Sequence, residues 1–200
     1  MRKIYPIILI FGFLKCSTWD NVEGYQPPPE LTTSEITTSE ITTTEFPPLP
    51  NIQINTYSAE IVDEPKIKGY LEIYQGDDKI EEHNIGIEIR GSSSQFFDKK
   101  SYGFETWDEE GEDLNVSLAG YPEEEDWILY GPYSDKSLIR NVLIYNLSNQ
   151  IGRYATKTKL YNLSINNEFL GVYVLMEKIK RNKNRVDISK NKPEDISGGY

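Results

Sequence analysis

The chain has 200 residues, with 21 basic against 32 acidic side chains for a net charge of −11; that length holds one ordinary domain, or part of a larger one, and excludes a complete two-domain enzyme. A pI near 4.7 argues against a protein that wraps nucleic acid or lies on an anionic membrane surface. A single cysteine, Cys16, and a single histidine, His83, exclude an internal disulfide framework and a cysteine zinc site and leave a His-based cage or Ser-His-Asp triad without redundancy, so that a metal would need carboxylates.

Arg2 and Lys3 precede a short apolar run over residues 4–14, too brief to span a bilayer comfortably and suited to a secretory signal. Residues 1–15 are therefore expected to be a signal peptide, and the chain to be exported, to an extracellular or surface location. Cys16, directly behind the run, is a lipidation candidate through which the chain would attach to a membrane. Phe13-Leu14-Lys15 lacks the small residues of a lipoprotein signal, so lipid anchoring and plain secretion both stay open. Residues 16–50 form a Thr/Ser/Pro/Glu-rich linker in which Ser34-Glu35-Ile36-Thr37-Thr38 repeats as Ser39-Glu40-Ile41-Thr42-Thr43. Such a repeat buries too little apolar area to offset chain entropy and reads as a disordered spacer or an O-glycosylated stalk.

Regular apolar periods begin with the folded region, residues 51–200. Strand-like alternation runs over 67–74, 85–90 and 100–105. Asp77-Asp78 and the stretch 81–84 read as turns, which makes His83 a solvated loop residue, and Glu123-Glu124-Glu125 reads as a solvated run. A helix is expected between a cap at Ser134 or Asp135 and an end at Gly152, with Leu138, Ile139, Val142, Leu143, Leu147 and Ile151 forming its apolar face. Arg140 shares a row with Ile144, Leu147 and Ile151, so it should point partly inward and need an anionic partner, structural or functional. The runs 160–165 and 169–176 flank Asn166-Asn167-Glu168 and predict a hairpin. Five basic residues within 177–185 suit either plain solvation or contact with phosphate or an acidic peptide. Together these elements predict an α+β fold: a twisted antiparallel sheet with one principal packed helix, leaving an apolar patch exposed. Asn115-Val116-Ser117, Asn146-Leu147-Ser148 and Asn162-Leu163-Ser164 fit the glycosylation triplet, the latter two incidentally.

Five segments, taken in order, carry a family resemblance: Ile89-Arg90-Gly91-Ser92-Ser93-Ser94; Lys99-Lys100-Ser101-Tyr102; the stretch 126–136 with Trp127 and Gly131-Pro132-Tyr133; Leu138-Ile139-Arg140-Asn141; and the stretch 169–179, followed by Arg185-Val186-Asp187-Ile188. Across residues 55–200 they closely resemble the spore-coat protein H (CotH) kinase family. The resemblance implies the N-terminal part of an atypical protein-kinase-like fold with the second lobe missing. It also implies ATP and Mg2+ as cofactors, and transfer of the γ-phosphate to serines of secreted or coat proteins. Nucleic acid is not an expected partner. The catalytic and metal-binding aspartates of such an enzyme are expected beyond Tyr200, so no catalytic or metal residue is assigned here and this chain is expected to be a truncated, inactive fragment. The alternative is a non-catalytic surface adhesin or spore-envelope module on the same scaffold.

The nucleotide-binding candidates are Arg90, Gly91, Ser92, Ser93, Ser94, Lys100, Arg140, Met176 and Glu177. Gly91 and the serines form a small-residue bend able to cradle phosphates. Alternation puts Lys100 with Tyr102 and Phe104 on the cleft side, where its ammonium would neutralise phosphate. Arg140 would pair with phosphate or orient a carboxylate. Met176 and Glu177 resemble a segment running into an inter-lobe hinge, its backbone facing the adenine.

Overall fold

A computed structural model describes residues 47–191 and 193–194. The expected signal, Cys16 and the linker as far as residue 46 lie outside the described residues. The described residues form seven strands: β1 (Asn51–Asn55), β2 (Ile67–Gln75), β3 (Asp78–Arg90), β4 (Ser101–Trp107), β5 (Asp126–Tyr130), β6 (Thr158–Ile165) and β7 (Glu168–Glu177), with one α-helix, α1 (Arg140–Gln150), between β5 and β6.

These strands close into a barrel in the order β1-β2-β3-β4-β5-β7-β6. The closing pair, β1 with β6, is parallel, with Ile52 opposite Leu163 and Ile54 opposite Ile165; the other neighbours run antiparallel. Closure gives every strand two neighbours, although the first half of β3 extends past β4 and the first half of β7 extends past β5. The interior is filled because each strand turns alternate residues inward, as Ile52 and Ile54 do in β1, Ile85 and Ile87 in β3, and Trp127 and Leu129 in β5, all at most 2% exposed. Leu118, fully buried, and Tyr121 come from the loop between β4 and β5 and join the same core.

The α+β expectation is therefore corrected: the fold is a closed seven-stranded barrel with one short helix, not a kinase-like open sheet with a packed principal helix. Alternation reports which residues face a core, but not whether the sheet carrying them curls shut. The helix is shorter than its apolar run, and none of its residues is buried. Only Val142 and Tyr145 pack, against a small outer cluster of Ile128, Val174 and Met176. Ile139, Leu143, Ile144, Leu147 and Ile151 stay exposed, so the periodicity read as core-facing is an exposed face on the outside of the barrel. The stretch 81–84 is not a turn but runs within β3. Glu81 accepts the Ala119 N–H at 2.8 Å and His83 lies 3.1 Å from Glu81, half-buried; a polar strand segment covered by the loop bearing Leu118 mimicked a solvated bend.

Candidate functional site

At one end of the barrel the loop from β3 to β4, residues 91–100, meets the exit of β5 and the start of β7. Gly91 holds φ +120°, a left-handed conformation natural to glycine, and a Cβ there would lie 2.1 Å from the Ser94 hydroxyl. The serines continue into a 3-10 turn, Ser93–Phe96, in which the Gln95 amide donates to the Ser92 carbonyl. Gln95 also donates its side-chain N–H to the Gly91 carbonyl and to Asp63. Lys100 turns back to the same loop and donates to the Gln95 carbonyl at 2.7 Å. The bend and the Lys100 ammonium thus share one short loop.

Lys99 is the more constrained of the two lysines. Its ammonium sits 4.2 Å from the centre of the Tyr173 ring and donates to the Leu170 carbonyl at 2.9 Å. Two glycines make room for it. A Cβ at Gly131 would stand 3.1 Å from the Lys99 Cγ and 2.6 Å from the Lys100 carbonyl, and one at Gly171 would stand 3.3 Å from the ammonium itself. Tyr173 is stacked on Tyr102 in the core, and Phe97 stacks on Tyr133 at 4.8 Å, which ties the loop to the segment leading into α1. Burial pushes the Lys99 ammonium below the usual lysine range. Among the described residues neither ammonium is paired with a carboxylate; each has only a carbonyl. In a protein this acidic, two unpaired cations a peptide apart suit an anion. Sequence alternation selected Lys100 alone; the spacing of Gly131 and Gly171 in the matched segments was the available signal for Lys99.

Of the other expected site residues, Arg90 ends β3 directly before Gly91, exposed and opposite Ser101 of β4, whereas Met176 and Glu177 stand at the other end of β5 and β7. Arg140, at the start of α1, is exposed and pairs with Asp135 at 3.4 Å. Asp135 also accepts the backbone N–H groups of Ser137 and Arg140 at 3.0 and 2.9 Å, so it anchors the entry to the helix. Hydrogen bonding from Ser137 holds the Asp135 carboxyl below the usual range, helped by Arg140. Met176 and Glu177 lie at the far end of β7. Met176 is packed in the outer cluster beneath α1. Glu177 is fully buried; its carbonyl accepts the Thr156 hydroxyl at 2.6 Å and its carboxylate accepts the Lys157 N–H at 2.9 Å.

Around Glu177 the barrel carries a second charged centre, which the sequence reading treated as solvated runs. The start of β5 and the segment before it supply Glu124, Glu125 and Asp126, whose carboxylates lie within 4.8 Å of one another. Lys180 donates into the middle of this triplet, 2.6 Å from an oxygen of each, and Lys178 reaches Asp126 at 2.7 Å. Burial would push the Asp126 and Glu125 carboxyls up, but the lysines outweigh it and both are held below their ordinary values. Burial would likewise lower the Lys180 ammonium, and its bonds to Asp126, Glu124 and Glu125 instead raise it. Beneath them lies Arg185, with a fully buried side chain 3.5 Å from Glu177 and 3.9 Å from Glu124. It stacks over Trp127 at 4.8 Å and donates to the carbonyls of Lys178 and Asp126 at 2.9 and 3.3 Å. The basic stretch after β7 therefore clasps the acidic stretch before β5.

The CotH family model, described as CotH kinase protein, matches residues 87–198, more than half of the chain. The chain belongs to the CotH family. None of the curated proteins matches it. The matched span includes both charged centres, which stand at opposite ends of β5, about 13 Å of strand apart at ~3.3 Å per residue. If the family's nucleotide is bound, Lys99 and Lys100 would hold its phosphates, since each ammonium bonds to a carbonyl and to no carboxylate among the described residues. Mg2+ does not fit the acidic triplet, because the Lys180 ammonium already occupies the point where its three carboxylates converge.

Proposed function

We propose that this CotH protein binds the phosphates of ATP through Lys99 and Lys100 beside the Gly91–Ser94 bend, in the service of phosphoryl transfer to serines of exported or coat proteins. The observation that carries the reading is the pair of ammonium groups without carboxylate partners on a chain of net charge −11. Phosphoryl transfer rests on positioned cations and charge neutralisation more than on covalent chemistry by the protein. Lys99, held by Tyr173 and the Leu170 carbonyl, is the rigid cation; Lys100, on the loop itself, follows the bend. Export, with attachment at Cys16, belongs to the same proposal.

The separation of this end from the acidic triplet supports a second reading, a nucleotide-binding module without catalysis or an adhesin. Calorimetric titration of the purified chain with ATP, with inorganic triphosphate and with adenosine tests the first reading. Triphosphate should bind nearly as well as ATP and adenosine hardly at all, and Lys99→Met should weaken ATP by roughly 10-fold or more, the scale of one charge-assisted contact. Equal ATP binding by Lys99→Met and Lys100→Met would remove the phosphate site. Binding of ATP without transfer of its phosphate to any added serine-rich acceptor would favour the module.

A further inference from the structure

We propose that the outer face of β1, β2 and β6 is a carbohydrate site that takes a neutral oligosaccharide; it stands independently of the nucleotide reading. A groove of about 480 Å³ crosses these strands. Register puts Gln53 at its centre, between Glu72 on β2 and Ser164 on β6, with Asn55 one outward position further along. Two tight turns form its upper rim: Thr56 to Ala59, closed by the Ala59 N–H donating to the Thr56 carbonyl at 3.0 Å, and the Asn166-Asn167 turn between β6 and β7. Asn166 locks the turns together, accepting the Thr56 N–H at 2.9 Å and donating to the Thr56 hydroxyl at 2.8 Å. The groove is thus a fixed shape rather than a loose loop surface, which lowers the ordering cost of binding.

The lining chemistry selects the ligand. The side chains of Gln53, Ser58, Ser164 and Asn167 bond to no other described residue, so amide and hydroxyl groups face the groove free to donate and accept. Glu72 is the charged member; it shares Lys79, 3.1 Å away, with Glu82, so the groove keeps a slight negative character. With no cation among its lining residues and a residual negative charge, the groove repels phosphates and acidic sugars, and a single carboxylate makes no metal site. At the groove each strand is paired on both sides and offers no edge to a peptide, and the acidic chain repels nucleic acid. A neutral, hydroxyl-rich ligand is what remains.

Tyr57 supplies the independent observation. It lies in the chain between two groove residues, Asn55 and Ser58, with φ +55° and Ser58 next to it at +66°. A bulky side chain in the left-handed region is an outlier held against steric cost. Here the strain holds an aromatic ring 61% exposed, packed into no core cluster. Sugar rings present C–H faces that pack on aromatic faces while their hydroxyls bond to amides and carboxylates. The turn that strains Tyr57 places such a ring on the groove's rim, between the lining residues Asn55 and Ser58, where the Asn55 side-chain oxygen accepts the Tyr57 N–H at 2.8 Å.

The test uses the full chain and four neutral hexasaccharide series, of β-1,4-glucose, β-1,3-glucose, β-1,4-N-acetylglucosamine and α-mannose, with oligogalacturonate as the acidic control. Saturation-transfer NMR and calorimetry read the binding. At least one neutral series should bind and the acidic control should not. Tyr57→Gly keeps the left-handed backbone while removing the ring, and should weaken that series about 10-fold without lowering the thermal midpoint. Gln53→Ala, at an exposed position, should weaken it by about 5-fold. The proposal is overturned if no neutral series binds at ~10 mM, if the acidic control binds equally, or if both variants bind like the wild type.

Discussion

Arg185→Met tests whether the buried ion cluster holds the barrel together. Methionine keeps the apolar contact with Trp127 and removes the guanidinium, which lies 3.5 Å from Glu177 and 3.9 Å from Glu124 and donates to two carbonyls. Glu124 retains Lys180 at 2.6 Å. Glu177 retains only the distant Lys157 ammonium, 4.0 Å away, and a backbone N–H. Removing one partner from a buried pair costs about 3–5 kcal/mol because it strands the other charge. A stranded carboxylate can instead take up a proton, which for an ordinary glutamic acid at pH 7 costs about 3.7 kcal/mol, so the charge penalty is capped near that value. The expected loss is therefore about 3–4 kcal/mol.

In urea, with a slope of roughly 2 kcal/mol per molar, the unfolding midpoint should fall by about 1.5–2 M. The double variant Arg185→Met with Glu177→Gln removes both charges and keeps the shape, and should recover about 2 kcal/mol. Urea denaturation followed by tryptophan fluorescence measures both. A midpoint for Arg185→Met within about 0.3 M of the wild type, or a double variant weaker than the single, would refute the argument that Glu177 is held by Arg185.

The lysine clasp predicts an acid limb. Because Asp126 and Glu125 are held below their unfolded values, they stabilise the fold above the ordinary carboxylate range, and that stabilisation is lost as pH falls through their lowered folded values. Lys180→Met should shrink this acid-dependent loss while lowering stability at pH 7, a difference read from thermal midpoints between pH 7 and 3. Gly86→Ala is expected to cost about 1–3 kcal/mol as an overpacking change, since a Cβ there would lie 1.9 Å from the Trp107 ring; if the variant's thermal midpoint is unchanged, Trp107 does not cover Gly86 in solution.

How much of this was readable in advance depends on whether a feature is local. The runs 67–74, 85–90 and 160–165 are strands, and Asn166-Asn167 is a hairpin turn with both residues left-handed, at φ +49° and +68°, because alternation and turn chemistry act over a few residues. β1 escaped notice although Ile52 and Ile54 alternate with Asn51, Gln53 and Asn55 as clearly as any other strand. Its parallel pairing with β6 joins residues about 110 apart in sequence, and that one pairing turns an open sheet into a barrel. α1 misled for a related reason: exposed and core-facing helical stripes have the same period, and only the position of a partner distinguishes them.

The candidate site divides in the same way. Gly91, the serines and Lys100 fall together because they share one loop, whereas Met176 and Glu177 were joined to them through a supposed hinge that the barrel places at its other end. There the triplet Glu124, Glu125 and Asp126 faces Lys178, Lys180 and Arg185 across more than fifty residues of sequence. Each run taken alone has the composition of a solvated surface. Brought together they become the opposite, a nearly self-neutralised buried cluster whose cations are already committed to carboxylates. That commitment takes Lys178, Lys180 and Arg185 out of reach of an anion, whereas Lys99 and Lys100 bond only to carbonyls beside the Gly91 bend and share their lack of an acidic partner with exposed cations elsewhere on the barrel.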